Sequence, residues 1–359
     1  MGLLRELRPA DGIRVRVKRY EVGVIAGDGI GPEVVDAAIP VLDAAAQQRG
    51  FALAWERLPY SADHYLRTKE TLPEAAFRHL RDDVDAIFVG ALGDPRVPGN
   101  EHARDILLGL RFRLDLYINF RPIRLLHPDL TPLRSAHPID FVIFRENTEG
   151  VYLGRGRVDG DEYVAEDVNT GKGVERIIRA GFEWARAHGR TLVTMSDKSN
   201  AVPAHRVWQD QFKRVAAEYA GVTAEHRYVD TLALELVREP ERFQVIVTTN
   251  LFGDILSDLG AGLVGGLGLA ASANLHPGRA GLFEPVHGSA PALAGKGIAN
   301  PLAAILAGAL LFEQLGQREA SRALERAVQD TLAAGVRTPD LGGTATTRAV
   351  AQAVYSALR

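Results

Sequence analysis

The feature that most constrains this chain is a repeated one, an apolar run that ends in polar or glycine-rich residues. "YEVGVIAGDGIGPEVVDAAIPVLDAAAQQRG" opens as a buried strand, turns through Gly27, Gly29 and Gly31, and takes helical spacing from Pro32 onward. "VDAIFVGAL" runs into Gly90 and Gly93, and "IDFVIFREN", "RTLVTMSDKSN" and "FQVIVTTNLFGD" repeat the theme. Strand, turn and helix in series predict an α/β protein with parallel strands. In open sheets of that kind ligands gather at the carboxyl ends of the strands, so the polar ends are where chemistry is expected.

At 359 residues the chain is long enough for two modest domains or one large one. A net charge of -3 gives no broad field to attract nucleic acid or an acidic membrane. Cysteine is absent, which removes disulfides, thiolate nucleophiles, zinc-cysteine sites and iron-sulfur clusters together and fits the cytoplasm. The longest apolar stretch, Leu259 to Leu275, is short for a membrane span and is broken by glycines that favour turns, so it reads as buried core. The first nineteen residues are basic, with Arg5, Arg8, Arg14, Arg16, Lys18 and Arg19. Glu6, Asp11 and Pro9 interrupt any presequence-like helix there, which favours a frayed or strand-adding extension over residues 1–17. From about Gly150 to Gly171 the sequence is glycine-punctuated, strand-like and too polar for core, as a projecting arm would be.

Three groups of residues carry candidate chemistry. In "NLFGDILSDLGAG", Asp254 and Asp258 sit four apart and share one helix face. Such a pair is either a solvated face or, beside the apolar Ile255 and Leu256, a site for Mg²⁺ or Mn²⁺, which take oxygen ligands and keep waters. Lys198 stands at a strand end in a chain whose basic residues are overwhelmingly arginine. It is either an ordinary surface lysine or a base, since a desolvated lysine can lose its proton and an arginine cannot. Arg111, Arg121 and Arg145 each border an apolar run, where an unpaired guanidinium is costly. Structural ion pairs or a di- or tricarboxylate substrate would satisfy them. "GDGIG" does not match the dinucleotide fingerprint, and no P-loop, H-E-x-x-H or G-x-S-x-G pattern is present.

Taken in order, "GDGIGPE", "RENTEGVY", "SDKSN", "YVDTLALELV", "VTTNLFGDILSDLGAGLVGGLGL", "FEPVHGSAPALAGKGIANP" and "RTPDLGG" resemble the metal-dependent β-decarboxylating dehydrogenases. That family includes the 3-isopropylmalate, isocitrate, homoisocitrate, and tartrate or D-malate dehydrogenases. The resemblance runs from about Lys18 to the C-terminus. It implies an isopropylmalate dehydrogenase-like α/β fold, distinct from the Rossmann domain. Residues 18–116 plus 265–359 would form a discontinuous first domain and 117–264 a second. The arm around 150–171 would clasp a second subunit, in a homodimer or dimer of dimers with shared active sites. It also implies roles: Asp254 and Asp258 for the metal with Asp230 supplied from the neighbouring subunit, Arg111, Arg121 and Arg145 for substrate carboxylates, and Lys198 and Tyr152 as the acid/base pair. Asn200 joins the substrate residues by the same resemblance. The activity implied is oxidation of a (2R)-malate-type acid by NAD(P) with loss of CO₂. Some relatives are non-catalytic regulatory subunits, but the metal aspartates, lysine, tyrosine and arginines are all present here.

Substrate choice in the resembling enzymes lies just before the first clamp arginine, here "VPGNEHARDILLGLR". Leu107 and Leu108 resemble the leucine pair of isopropylmalate and of tartrate or D-malate enzymes, ahead of the isocitrate and homoisocitrate patterns. His102, Arg104 and Asp105 fit none of these; they are read as solvated helix residues, with contact to a polar substituent as the alternative. The loop "HGSAPALAGKGIANP" would wrap the adenosine half of the cofactor. Ile30, Gly288 and Ala290 would lie close to it, and His287, Ser289 and Asn300 would supply polar contacts. NAD-dependent relatives carry aspartate where this chain has Ala292, and NADP-dependent ones Lys-Tyr in place of Ala292 and Leu293; both are missing. NAD is the expectation, with NADP as the alternative.

Overall fold

The computed structural model describes residues 17–134 and 138–358. The basic residues Arg5, Arg8, Arg14 and Arg16, and with them the expected extension, lie outside the described residues. Lys18 and Arg19 open the first strand, Lys18 with its ammonium 4.5 Å from the ring centre of Tyr20. The chain divides into two units. One takes the residues up to Leu110, Leu267–Ala273 and those from Pro277 on; the other takes Arg111–Gly266 and Asn274–His276. The division thus comes at Leu110, inside a helix, where the sequence suggested residue 116.

In the first unit, β1 (Lys18–Gly27) pairs in parallel with β2 (Phe51–Arg57) on one side and β3 (Ala86–Ala91) on the other. β12 (Gly281–Pro285) pairs in parallel with β3, and β11 (Ala271–Leu275) follows beside it. The helix α1 (Gly31–Gln48) begins with Pro32 in its first turn, where a missing N–H costs nothing, and buries Val34, Val35, Ala38, Val41, Leu42, Ala45 and Ala46. It packs on α9 (Leu302–Gln314) and α11 (Thr347–Ala357), with α10 (Arg318–Ala333) packed against both. Two short helices, α2 (Ala62–Thr68) and α3 (Glu74–Asp82), precede β3, and α4 (Glu101–Arg113) follows it.

The glycines of "GDGIG" are explained by close approach. At Gly29, φ is +55° and a Cβ would stand 2.0 Å from the carbonyl oxygen of Ser289. The Ile30 N–H donates to that same oxygen at 2.8 Å.

In the second unit the strand order is β4 (Ile118–Arg124), β5 (Asp140–Glu146), β10 (Val245–Thr248), β8 (Leu192–Asp197), β9 (Thr223–Tyr228). Only β4 is antiparallel. Strand periodicity sorts the core into two layers. Val142, Phe144, Val245 and Val247 face Ile177, Phe182 and Trp208 of α5 (Gly171–Ala187) and α6 (Arg206–Ala216). Phe141, Ile143 and Ile246 face Leu232, Leu236 and Leu256 of α7 (Val229–Arg238) and α8 (Asn250–Leu263). The remaining strands, β6 (Gly156–Asp159) and β7 (Glu162–Ala165), form a hairpin closed by Gly160 and Asp161, within the segment read as an arm. Within Leu259–Leu275, read as buried core, most residues are buried; α8 continues across Gly260 and Gly262, where tertiary packing overrides glycine's poor helix propensity, and the chain turns at Val264 and Gly265. Among the described residues no helix is long and apolar enough to cross a membrane.

Candidate active site

Because β5, β10, β8 and β9 run parallel, their carboxyl ends deliver Arg145, Asn250, Lys198 and Asp230 to one edge of the second unit's sheet, and antiparallel β4 sets Asn119 opposite Arg145. Arg111, Arg121 and Arg145 are all buried. Arg145 Nε and Nη2 donate to Asn250 Oδ1 at 2.9 and 2.7 Å, and Nη1 donates to Asp254 Oδ1. Arg121 donates from Nε to Asn119 Oδ1 at 2.7 Å and from Nη1 to Ser257 Oγ at 2.5 Å. It also lies 3.4 Å from Asp254 and 3.6 Å from Asp258. Gly253 makes room for this: a Cβ there would stand 2.5 Å from Cγ of Arg145, so the arginine stem lies directly on the α8 backbone.

These neighbours set the proton affinities. Burial, then the charge of Arg121, lowers the Arg145 guanidinium from its ordinary value. Burial alone would raise Asp254, but Arg145, Arg121 and the Tyr152 hydroxyl outweigh it, and the carboxyl lies below its usual range. Asp258 is raised, by burial opposed by Arg121 and reinforced by Asp254. Tyr152 donates to Asp254 Oδ2 at 2.5 Å, and burial and that bond raise its hydroxyl. Asp254 and Asp258 are half open to solvent, one turn apart, with only oxygen to offer, and that donor set fits a hard divalent cation. Asp230 does not join them in this chain; it accepts from Lys198 Nζ at 2.7 Å, a bond that lowers its proton affinity. Among the described residues no three His, Cys, Asp or Glu side chains form a metal-holding group. Asn200 is exposed at the turn after Lys198.

In the first unit, the loop after β12 has Ala290 at φ +38°, with Ala292 exposed, Ser289 and Asn300 buried and Gly288 exposed. His287 Nδ1 donates to Gly288 O at 3.0 Å, and its buried Nε2 has no partner among the described residues; burial pushes the imidazole below its ordinary value. A buried, unspent polar atom beside backbone that small residues keep accessible fits a dinucleotide's hydrogen-bonding edge. Although the loop itself contains no acid, "RTPDLGG" brings one: Asp340 Oδ2 accepts from Asn300 Nδ2 at 3.0 Å. Leu107 and Leu108 lie half-buried on α4, the helix that also carries Arg111.

The reading of His102 as a solvated residue is corrected. Its side chain is fully buried, stacked on Tyr65, and its Nε2 lies 2.8 Å from Asp28 Oδ2. Asp28 also accepts from the Gly93 and Ala62 N–H groups, so the imidazole ties α4 to the glycine turn and cannot meet a substituent. Arg104 and Asp105 are exposed. Sequence reasoning also missed Glu146. It is buried, accepts from Thr148 N and Oγ1 and Glu149 N, and is pushed up to about 7 by burial against the pull of those bonds. A buried Asn119–Asn274–Asn147 chain and the pair His205–Asp167 were missed too.

Comparison with known proteins gives the class. A family model described as isocitrate/isopropylmalate dehydrogenase matches residues 21–354. A 3-isopropylmalate dehydrogenase of Streptomyces griseus subsp. griseus is 45% identical over 88% of this chain and 93% of its own length. A decarboxylating D-malate dehydrogenase of Escherichia coli K12 is 42% identical over 94% of this chain and 98% of its own. The crystal structure of an isocitrate dehydrogenase from Methylococcus capsulatus superposes with a TM-score of 0.86 at 38% identity, covering 95% of this chain and 99% of that one. Fold and site therefore define an oxidoreductase, a decarboxylating hydroxyacid dehydrogenase. The chain belongs to the isocitrate/isopropylmalate dehydrogenase family.

Proposed function

We propose that this protein oxidises a (2R)-malate-type acid at its hydroxyl carbon and releases the β-carboxyl as CO₂, with 3-isopropylmalate, or D-malate and tartrate, ahead of isocitrate and homoisocitrate. The observation that carries this reading is the burial of Arg111, Arg121 and Arg145, with Arg121 and Arg145 set against the carboxylates of Asp254 and Asp258. Guanidiniums gathered in this way are the groups that take up a dicarboxylate through bidentate pairs. When bound, a nicotinamide accepts hydride and Mg²⁺ or Mn²⁺ neutralises charge developing on substrate oxygen. Asp254 and Asp258 would hold the cation, with Asp230 of a second copy. The arginines hold the carboxylates, Leu107 and Leu108 cover an alkyl or small substituent, and Asn200 adds a polar contact. Lys198 takes up the hydroxyl proton, and Tyr152 returns one to carbon after CO₂ has left.

NAD is the proposed cofactor, held by Ile30 and the loop through His287, Gly288, Ser289, Ala290, Ala292 and Asn300. NADP is the alternative that Ala292 leaves open. A homodimer is supported by apolar side chains exposed on the second unit: Leu234 and Val237 on α7, Leu251 and Ile255 on α8, and Val158 and Tyr163 on the hairpin, Tyr163 at 80%. The cytoplasm is the proposed location. The test is steady-state turnover with 3-isopropylmalate, D-malate, tartrate and isocitrate, each with NAD and NADP and Mg²⁺. The expected result is a dominant kcat/KM for one of the first three with NAD; a dominant value for isocitrate sinks the substrate reading, and no NADH formation with any acid sinks the enzymatic one.

A further inference from the structure

Lys198 sits on the turn that leaves β8, and its backbone is held from three sides. Its carbonyl accepts from the N–H groups of Ala201 and Val202 at 2.9 and 2.8 Å, and its own N–H donates to Nδ1 of His205 at 3.1 Å. Since Nδ1 accepts, the imidazole hydrogen is on Nε2, which donates to Asp167 Oδ2 at 2.8 Å. The ring is 2% exposed and meets Phe252, two residues before Asp254, edge-on at 5.5 Å. Asp167 comes two residues after β7 ends. Its other oxygen accepts from Asn169 Nδ2 at 2.9 Å, and Asn169 Oδ1 accepts from the buried indole of Trp208 at 2.8 Å. The Gly150 N–H donates to Val168 O at 2.8 Å, closing the base of the segment that carries the hairpin. The bond from His205, opposed by burial, keeps the Asp167 carboxyl below its ordinary range.

We propose that His205 is a positioning residue for Lys198, and that Asp167 makes this positioning depend on how the β6–β7 hairpin is seated. The inference rests on the reading of Lys198 as the acid/base and of the hairpin as the clasp on a second copy. A lysine ammonium reaches its target on a flexible four-carbon stem, so its aim is set by where the stem starts. Displacement of about 1 Å at a catalytic group costs up to roughly 100-fold in rate. His205 supplies a side-chain acceptor for the Lys198 N–H, and its orientation is fixed in turn by a carboxylate at the foot of the hairpin. A hairpin that docks against another subunit thereby stiffens the launch point of Lys198, and a hairpin left loose does not.

The experiment compares His205→Ala, His205→Asn, Asp167→Ala and the double variant with the unaltered protein. Initial rates are measured with NAD, Mg²⁺ and whichever of 3-isopropylmalate or D-malate the substrate panel favours, and assembly is followed by sedimentation. His205→Ala is expected to lower kcat roughly 30-fold while KM for the acid and for NAD stays within about threefold and sedimentation is unchanged. His205→Asn, whose amide can accept from Lys198 and donate to Asp167, recovers most of the loss. Asp167→Ala matches His205→Ala, and the double variant loses no more than either alone, the mark of one shared interaction. An unchanged kcat in His205→Ala overturns the inference, as does a fall in kcat that tracks thermal stability and is not recovered by His205→Asn. Lys198→Met, run in parallel, separates the two levels: full turnover there removes the acid/base reading itself, whereas an inert Lys198→Met beside a fully active His205→Ala removes only the positioning.

Discussion

The two units build their sites from different materials. The loop of the first unit is mostly backbone: Gly29 in left-handed conformation against Ser289 O, Ala290 at positive φ, and a few polar atoms such as His287 Nε2. The second unit works through side chains, with the buried guanidiniums of Arg121 and Arg145 held by two aspartates, two asparagines and a serine. The first site is closed to added volume where backbone meets backbone at Gly29, and the second depends on the balance of its charges. Two substitutions and one pH series can break this contrast or sharpen it.

The largest effect is expected from Gly29→Ala. The added Cβ meets a carbonyl oxygen at 2.0 Å and the residue must hold φ +55°, so neither partner can yield cheaply. Strain and displaced loop together are expected to cost about 2 kcal/mol or more, seen as a lower melting temperature and a KM for NAD raised at least about tenfold. Binding of the acid by the second unit, followed by calorimetry without NAD, should change little; equal losses in both would erase the distinction.

A smaller effect is expected from pH acting on Glu146, the buried carboxyl beside Arg145. Its folded-state affinity of about 7 exceeds the ordinary 4.5, so the folded protein holds this proton more tightly than the unfolded chain does. Its contribution to stability is complete below about pH 4.5 and is lost as pH rises toward 7. Each pKa unit is worth about 1.4 kcal/mol, which makes the total a few kcal/mol. Urea unfolding at pH 5 and pH 8 should show that fall in the unaltered protein and a flattened profile in Glu146→Gln. Identical slopes would mean the carboxyl is not strained by its burial.

The smallest change is expected at Ala292, which is exposed on the first unit's loop. Ala292→Asp supplies an acceptor for a ribose diol, and one charged hydrogen bond worth about 1.5 kcal/mol would lower KM for NAD roughly tenfold. An unchanged KM would show that Asp340, already bonded to Asn300, or backbone alone meets the ribose.

How much could be read beforehand follows the same division. Arg111, Arg121 and Arg145 stood out as charges beside apolar runs, Lys198 as a lysine at a strand end and Asp254 and Asp258 as a pair four apart, and the second unit carries all six. Contacts between residues far apart in the chain were not legible. Asp28 meets His102 across 74 residues, and His205 meets Asp167 across 38. Nothing in local spacing distinguishes a histidine that will be fully buried from one on a wet helix face. The unit boundary at Leu110 was hidden for another reason, since α4 runs through it unbroken and even Gly109 stays helical.

The interruption of the first unit also bears on how the polypeptide leaves the ribosome. The second unit is complete once α8 has emerged, apart from Asn274–His276. The first unit's sheet lacks β11 and β12 until nearly four-fifths of the chain has been made, and α1 has no α9 or α11 to cover it until later still. Leu42, whose side chain lies on the α9 backbone at Gly308, must therefore wait for a partner synthesised more than 250 residues afterward. Early-made, late-satisfied apolar surface of that kind invites aggregation, and it places the demand for chaperone protection on the amino-terminal segment of the newborn chain.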